Sequence, residues 1–350
     1  MDVLETRTTQ WEAEHLMLPI YCKGGSLRLI DQRALPFEYV EVEIESVERL
    51  CRAIQAMEIR GSGAIGIAGA YGMYLACRLR PDFQHLQQVA NLLKETRPTA
   101  INLSKTVDEI LVRCQTAKRS IPEAVEEAVL EILDRQLAFE RALGSYGAAL
   151  INDGDAILTH CHSGALAGSG YGGRALSVIR AAWEGGKNIH VYVSETRPYL
   201  QGARITTYEL GKLGIPHTLI TDSSSAFLMS RGSIQRVVVG SDRVTANGDL
   251  INKVGSFMHA IVAKYHAVPF YTATSSHTVD FSLAEGKECP IEYRNEDEVK
   301  SIRGVRLAPE GTAALYPAFD VTPNDLIAGI ITEKGVITAP YRENLQVLKD

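Results

Sequence analysis

From residue 156 onward, short apolar runs alternate with helix-length segments, and no other feature constrains the fold as strongly. AILTHC (156–161), IHVYVS (189–194), HTLI (217–220), RVVVG (236–240) and PFYTA (269–273) have the length and β-branched content of buried strands. Segments 174–186 and 203–214, between the first three runs, are long enough for helices. Strands alternating with helices build a doubly wound parallel sheet, so an α/β fold is expected for this part of the chain.

The first 140 or so residues read differently. Val40, Val42 and Ile44 interleave with Glu41, Glu43 and Glu45, the period-2 pattern of a half-buried strand. Ser46 then stands where a helix cap belongs, followed by Val47, Leu50, Ile54 and Met57 on one helical face. A long helix is expected from about Ser120, with Pro122 and Glu123 in its first turn and Val125, Val129, Ile132 and Leu133 as its buried stripe. The expected organisation is a mainly helical N-terminal domain with a short antiparallel sheet (1–140) and an α/β domain (141–350).

Composition narrows the function classes. A 350-residue chain with 45% hydrophobic and 22% charged residues is an ordinary globular chain. A net charge of −6 argues against a nucleic-acid binder, whose footprint is basic. The uncharged, Gly- and Ala-rich run between Arg60 and Arg78 holds 17 residues, short of a membrane helix. The charged first residues show no secretion signal. The six cysteines, at 22, 51, 77, 114, 161 and 289, have no paired spacing, as expected of reduced thiols in a cytoplasmic protein without a zinc site.

In open parallel sheets ligands bind beyond the carboxyl ends of the strands. Four runs end in polar residues: His160-Cys161-His162-Ser163, Ser194-Glu195-Thr196-Arg197-Pro198, Gly240-Ser241-Asp242-Arg243, and Thr274-Ser275-Ser276-His277. Cys161, between a strand and a Gly-rich turn leading to a helix, is either a reactive or hydrogen-bonding thiol or a small buried residue; both readings stay open. His160 and His162 flank it on opposite faces, which is poor metal geometry. Asp242 is a general acid or base if burial raises its pKa, and otherwise a turn residue. Asn252 and Lys253 offer an amide and an ammonium to polar ligand atoms. Arg60, Arg97 and Arg197 each adjoin Gly, Pro or a turn, where an Arg can clamp phosphate or form a structural ion pair. Residues 168–173 match G-x-G-x-x-G, with Glu195 at a ribose-binding distance in sequence. They begin too far beyond their strand for a dinucleotide fingerprint, and a close-packed helix entry is the competing reading.

Taken together these segments resemble the methylthioribose-1-phosphate isomerase family. The matching runs are Arg60-Gly61 with AIGIAGAYG (64–72), TRPTAINLS (96–104), CHSGALA (161–167), ETRPYLQGARITTYEL (195–210), TLITDS (218–223), VVVGSDRVTANGD (237–249), NKVG (252–255) and PAFDVTPNDLIAGIITEKGVIT (317–338). The resemblance implies a small N-terminal domain joined to a Rossmann-like C-terminal domain, in a cytoplasmic homodimer with no cofactor or metal. It implies aldose–ketose isomerisation of 5-methylthioribose 1-phosphate in methionine salvage. Asp242 would be the acid/base and Cys161 the group that stabilises the transition state. Arg60, Gly61, Ser62, Arg97, Gln201, Asn252 and Lys253 would hold the phosphate and sugar hydroxyls. A water-excluding pocket around the carboxyl would favour that chemistry.

Ser62-Gly63 stands where the family pattern has Ala-Pro, His162 where it has Asn, Ser241 where it has Ala, and His277 in a region reading Pro-Leu-Ser. The run 159–163 looks more like ribose-1,5-bisphosphate isomerases. The alternatives are therefore an isomerase of 5-deoxyribose 1-phosphate or ribose 1,5-bisphosphate, or a non-catalytic regulatory subunit of the same fold.

Overall fold

A computed structural model describes residues 3–97 and 100–349, so Pro98 and Thr99 of the TRPTAINLS run lie outside it. The chain packs as two units, Met1–Glu140 with Gly164–Gly173, and Arg141–Ser163 with Arg174–Asp350.

In the first unit, α1 (Val3–Ala13) precedes β1 (Ile20–Lys23), β2 (Ser26–Ile30) and β3 (Glu41–Ile44), an antiparallel sheet in that order. The alternating stretch forms β3, with Ile44 buried and Glu41 and Glu43 exposed. Ser46 caps α2 (Val47–Gln55) by accepting the Arg49 N–H, and Val47, Leu50 and Ile54 are buried. Met57 falls beyond the helix end, at φ +58°. Next come α3 (Ser62–Leu79), α4 (Phe83–Thr96), α5 (Ile101–Thr116) and α6 (Ile121–Ala148). At the start of α6 the Glu123 carboxylate accepts both the Ser120 N–H and the Ser120 hydroxyl. The small residues of α3 serve close packing: a Cβ on Gly69 would lie 2.5 Å from the Leu103 side chain of α5.

The segment Gly164–Gly173 is built into this first unit. The Met17 N–H donates to Gly170 O (2.9 Å), and Gln32 Nε2 to Leu166 O (2.8 Å). The buried Glu140 carboxylate accepts the N–H groups of Ser169, Tyr171 and Gly172 at 2.5, 3.0 and 3.1 Å. The G-x-G-x-x-G match thus directs its amides at a carboxylate of the protein, not at a pyrophosphate. That removes the sequence case for a nicotinamide enzyme.

The second unit holds β4 (Ala156–Thr159), α7 (Ala175–Glu184), β5 (His190–Ser194), α8 (Thr207–Lys212), β6 (His217–Ile220), α9 (Ser224–Ser230) and β7 (Arg236–Val239). Then follow β8 (Arg243–Thr245), β9 (Leu250–Lys253), α10 (Ser256–Tyr265), β10 (Phe270–Ala273), β11 (Val279–Asp280), and α11 (Asp297–Lys300) with the hairpin β12 (Ser301–Ile302) and β13 (Val305–Arg306). The last elements are β14 (Phe319–Thr322), β15 (Gly329–Thr332), β16 (Gly335–Ile337) and α12 (Tyr341–Asn344). The main sheet has the order β16-β15-β10-β7-β4-β5-β6, parallel except for β16. It is the expected doubly wound α/β sheet, and it contains all five strands read from the sequence. Consecutive residues serve its two faces: Ile157, Val238 and Ile331 enter one buried cluster with Leu176 and Ile179 of α7, whereas Leu158, Val237 and Ile330 enter another with Ala260 and Ala263 of α10. A second sheet, β11-β8-β9-β14, was not legible in the sequence. The expected helix 203–214 begins as a π-helical turn, Gly202–Thr206, and only then becomes α8.

Candidate functional site

The chain runs outward from β4 through β5 to β6 on one side of the sheet, and from β7 through β10 to β15 on the other. The switch point therefore lies between β4 and β7, where such sheets bind ligands. Cys161 follows β4 and Asp242 follows β7, so the two expected catalytic residues stand at the carboxyl ends of the two central strands.

Cys161 has φ +66°, rare for a residue with a Cβ. Two threonines hold it there. Its N–H donates to Thr196 Oγ1 at 2.8 Å, and its carbonyl accepts the Thr206 hydroxyl at 2.7 Å. Thr196 is itself at φ +64°, and Thr206 closes the π-helical turn that starts after Gln201. The Gly-rich turn after Cys161 does lead to a helix, but at a distance: a three-residue 3₁₀ turn, Ala165–Ala167, comes first, and α7 starts at Ala175.

Thr196 is anchored in turn by Asp222, beyond β6. The Asp222 carboxylate accepts the N–H of Thr196 (2.8 Å), the N–H of Arg197 (2.8 Å) and the hydroxyl of Ser194. Behind it lies a buried histidine pair. His160 Nε2 is 2.9 Å from Val254 O, an acceptor only, so Nε2 carries the proton and Nδ1 accepts. His259 Nε2, 3.3 Å from that Nδ1, then donates, and His259 Nδ1 accepts from Ser225 Oγ at 2.9 Å. Burial lowers the pKa of both rings, in agreement with two neutral imidazoles. His160, Asp222 and His259 are the one group among the described residues spaced for a metal ion, but these hydrogen bonds already use the ring nitrogens.

His162 points elsewhere, to Glu209 Oε1 at 2.7 Å in a fully buried pair, as expected from its opposite face. Arg197 is not a phosphate clamp. Its guanidinium donates to Pro198 O (2.8 Å) and Val299 O (2.7 Å), which makes it a strut of the backbone.

Asp242 is exposed, at the turn between β7 and β8, with its N–H on Ile251 O at 3.0 Å. The water-excluded carboxyl expected from the chemistry is not what the structure presents, because a short turn carries the residue outward. Asn252 and Lys253 lie on β9, directly after Ile251, and both are buried. Asn252 Nδ2 donates to Ser256 Oγ (2.9 Å); Lys253 Nζ donates to Ala318 O (2.8 Å) and sits 4.4 Å from the Phe319 ring centroid. Both are therefore anchored inside the second sheet and are not simple surface donors. Gln201 is 4% exposed, and its buried Oε1 has no hydrogen-bond partner among the described residues. Such an acceptor calls for a ligand or a water.

In the first unit, Gly61 precedes α3 at φ +97°, and a Cβ there would collide with Ala167 at 2.5 Å. Ser62 opens α3 and accepts the Asn102 amide at 2.7 Å, which ties the starts of α3 and α5. That bond brings Arg60, Gly61, Ser62 and Arg97, the residue just after α4, to one end of the helix pair. His277 is exposed on a 3₁₀ turn after β10.

Sequence reasoning placed Thr196 in a strand-end run without giving it a role, and passed over Asp222, His259, Tyr316 and Asp320. Asp222 was within reach, since the strand-end rule applied to HTLI leads to Thr221-Asp222. Asp320 caps α10 by accepting the Gly255 and Phe257 N–H groups, and burial raises its carboxyl to about 6. Tyr316 is buried within electrostatic reach of Cys161, and burial raises its hydroxyl pKa.

The match to known proteins spans nearly the whole chain. Residues 58–339 match the initiation factor 2 subunit family. The chain is 47% identical to a methylthioribose-1-phosphate isomerase of Roseiflexus sp. (strain RS-1), covering 97% of both sequences. Among solved structures it resembles 5-methylthioribose 1-phosphate isomerase from Pyrococcus horikoshii OT3, with a TM-score of 0.90 and 35% identity over 95% of this chain and 96% of that one. It also resembles the delta subunit of the translation initiation factor eIF-2B from A. fulgidus, with a TM-score of 0.89 and 38% identity over 95% of this chain and 100% of that one.

Proposed function

The chain belongs to the methylthioribose-1-phosphate isomerase family, within the initiation factor 2 subunit family, and from that premise we propose how its residues carry the reaction. It is an intramolecular aldose–ketose isomerase of methionine salvage that converts 5-methylthioribose 1-phosphate into 5-methylthioribulose 1-phosphate.

The phosphate on O1 prevents simple opening of the sugar ring to a free aldehyde. The bond from C1 to the ring oxygen must therefore break with help. Over the whole reaction the proton of the C2 hydroxyl ends on the ring oxygen, and the hydrogen on C2 ends on C1. No external oxidant or reductant is consumed. We assign Asp242 as the group that gives and takes the protons, and Cys161 as the group that stabilises the charge developing at C1 and C2. Arg60, Gly61, Ser62 and Arg97 supply guanidinium and amide donors for phosphate, and Gln201, Asn252 and Lys253 hold sugar hydroxyls. The observation that carries this reading is the placement of Cys161 and Asp242 at the carboxyl ends of β4 and β7, across the switch point of the sheet.

A side-by-side turnover assay with 5-methylthioribose 1-phosphate, 5-deoxyribose 1-phosphate and ribose 1,5-bisphosphate tests it. A preference of ~100-fold for the methylthio sugar, about 2.7 kcal/mol of differential transition-state binding, is expected. Preference for the bisphosphate would favour the reading from residues 159–163. No turnover of any of the three would favour the regulatory class, which the likeness to the A. fulgidus eIF-2B delta subunit keeps as the second reading.

We also propose that residues 1–140 and 141–350 act as the two domains, with Gly164–Gly173 of the second built into the first, and that the enzyme works in the cytoplasm as a homodimer. Among the described residues no helix is long and apolar enough to cross a membrane. Leu219 on the edge strand β6, Phe227 on α9, and Met258, Ile261 and Tyr265 on α10 are large apolar side chains exposed on this chain, which supports a self-association face. Light scattering at micromolar concentration giving a monomer mass would overturn the homodimer.

A further inference from the structure

We propose that Thr196 and Asp222 are positioning residues for Cys161: together they form a clamp that holds the thiol's backbone in its left-handed conformation. The inference rests on the assignment of Cys161 to the reaction made above, and deepens it.

Three observations converge. A non-glycine residue at φ +66° persists only where its surroundings over-determine it, and the hydrogen bonds to Cys161 are the restraint. The Cys161 N–H ends on Thr196 Oγ1, and the Thr196 hydroxyl proton is directed to Ser194 O at 3.1 Å. Thr196 thus serves as acceptor to Cys161 and donor to β5 at once, which a methyl group could not do. Thr196 is strained as well, at φ +64°, and what fixes it is the Asp222 carboxylate. One Asp222 oxygen takes the Thr196 N–H and the Ser194 hydroxyl, and the other takes the Arg197 N–H. Both oxygens must accept, so an amide at 222 would turn an N–H against one of these donors. Gly202 completes the geometry: a Cβ there would lie 1.8 Å from Ser194 O, so the π-helical turn that carries Thr206 packs directly on the end of β5.

Thr196→Ala, Thr196→Ser, Asp222→Asn and the control Cys161→Ala test the clamp. Thr196→Ala and Asp222→Asn are expected to lower kcat about 100-fold with KM within about threefold, the scale of a small misplacement of a reacting group. Thr196→Ser, which keeps the oxygen, is expected to retain kcat within about threefold. Iodoacetamide labelling followed site by site by mass spectrometry supplies a readout independent of turnover. Both disruptive variants should label faster at Cys161 by about fivefold or more, with no change at the buried Cys22, Cys51 and Cys77. Acceleration spread over all four thiols would mean general loosening and would overturn the clamp, as would wild-type kcat in Thr196→Ala and Asp222→Asn beside an inactive Cys161→Ala. If Cys161→Ala turns over normally, the catalytic assignment of Cys161 falls; selective labelling at Cys161 would still uphold the clamp, and unchanged labelling would end it.

Discussion

Cys161 and Thr196 share one hydrogen bond of 2.8 Å and one unusual property, since both hold a positive φ at the carboxyl end of a central or neighbouring strand. Each conformation costs on the order of 1 kcal/mol or more, so the loop gives up stability for where it places the thiol. Glycine adopts that conformation freely. Cys161→Gly is therefore expected to abolish turnover while melting no lower than the parent in thermal unfolding. A clearly lower Tm would show that the side chain at 161 is there for packing.

Asp242 is the proposed acid/base, and its exposed position means that its removal should leave the fold undisturbed. Asp242→Asn is expected to lower kcat about 10³-fold or more, within the usual range for a general acid/base, with little change in substrate Kd by calorimetry. Unchanged turnover would remove the assigned role.

Asp320 gives a pH dependence of defined sign. Burial, against the pull of the Gly255 and Phe257 N–H groups and Lys253, raises its carboxyl to about 6 from the usual 3.8. The folded chain thus holds this proton more tightly than the unfolded chain does. The stabilisation is full below about pH 4 and is lost as pH rises through about 6. Asp320→Asn keeps an oxygen for both amides and removes the titration. The unfolding free energy of wild type relative to the variant should fall by on the order of 3 kcal/mol between pH 4 and 7, read by denaturant titration at each pH. A difference that stays flat across that range would contradict the assignment.

His162 and Glu209 form a pair with no exposed side-chain surface. His162→Leu removes the imidazole partner of a fully buried carboxyl and is expected to cost about 3–5 kcal/mol. His162→Leu combined with Glu209→Leu removes both polar groups and should cost less than the two single changes added together. A double-mutant cycle showing simple additivity would mean that the two side chains do not support each other.

What the residues disclosed followed from their physics. Five of the six parallel strands of the main sheet were readable because each is a short apolar run. β15 (Gly329–Thr332) is a run of the same kind, buried throughout, and was passed over because it is short and opens on a glycine between turn residues. β9 was hidden for the opposite reason: Asn252 and Lys253 look like loop residues, yet both are buried, held by Ser256, Ala318 and the Phe319 ring. The strand-end rule found Cys161 and Asp242 because strand ends are local. The same rule reaches the positions of Thr196 and Asp222, but their roles come from bonds between residues 26 to 35 positions apart, and no local pattern encodes that pairing. The reading of 168–173 as a phosphate loop failed because Glu140, 29 or more residues earlier, takes its amides.

The excursion of Gly164–Gly173 sets a timetable for synthesis. Until those residues have emerged from the ribosome, Glu140 lacks the Ser169, Tyr171 and Gly172 amides, Gln32 lacks the Leu166 carbonyl, and Met17 lacks Gly170. A nascent chain that ends at residue 140 stops inside α6, which runs to Ala148, and its Glu140 is still without the three amides that the later segment supplies. Completion of the N-terminal unit therefore waits on translation of β4 and the cysteine loop, so its folding and the delivery of Cys161 are coupled in time.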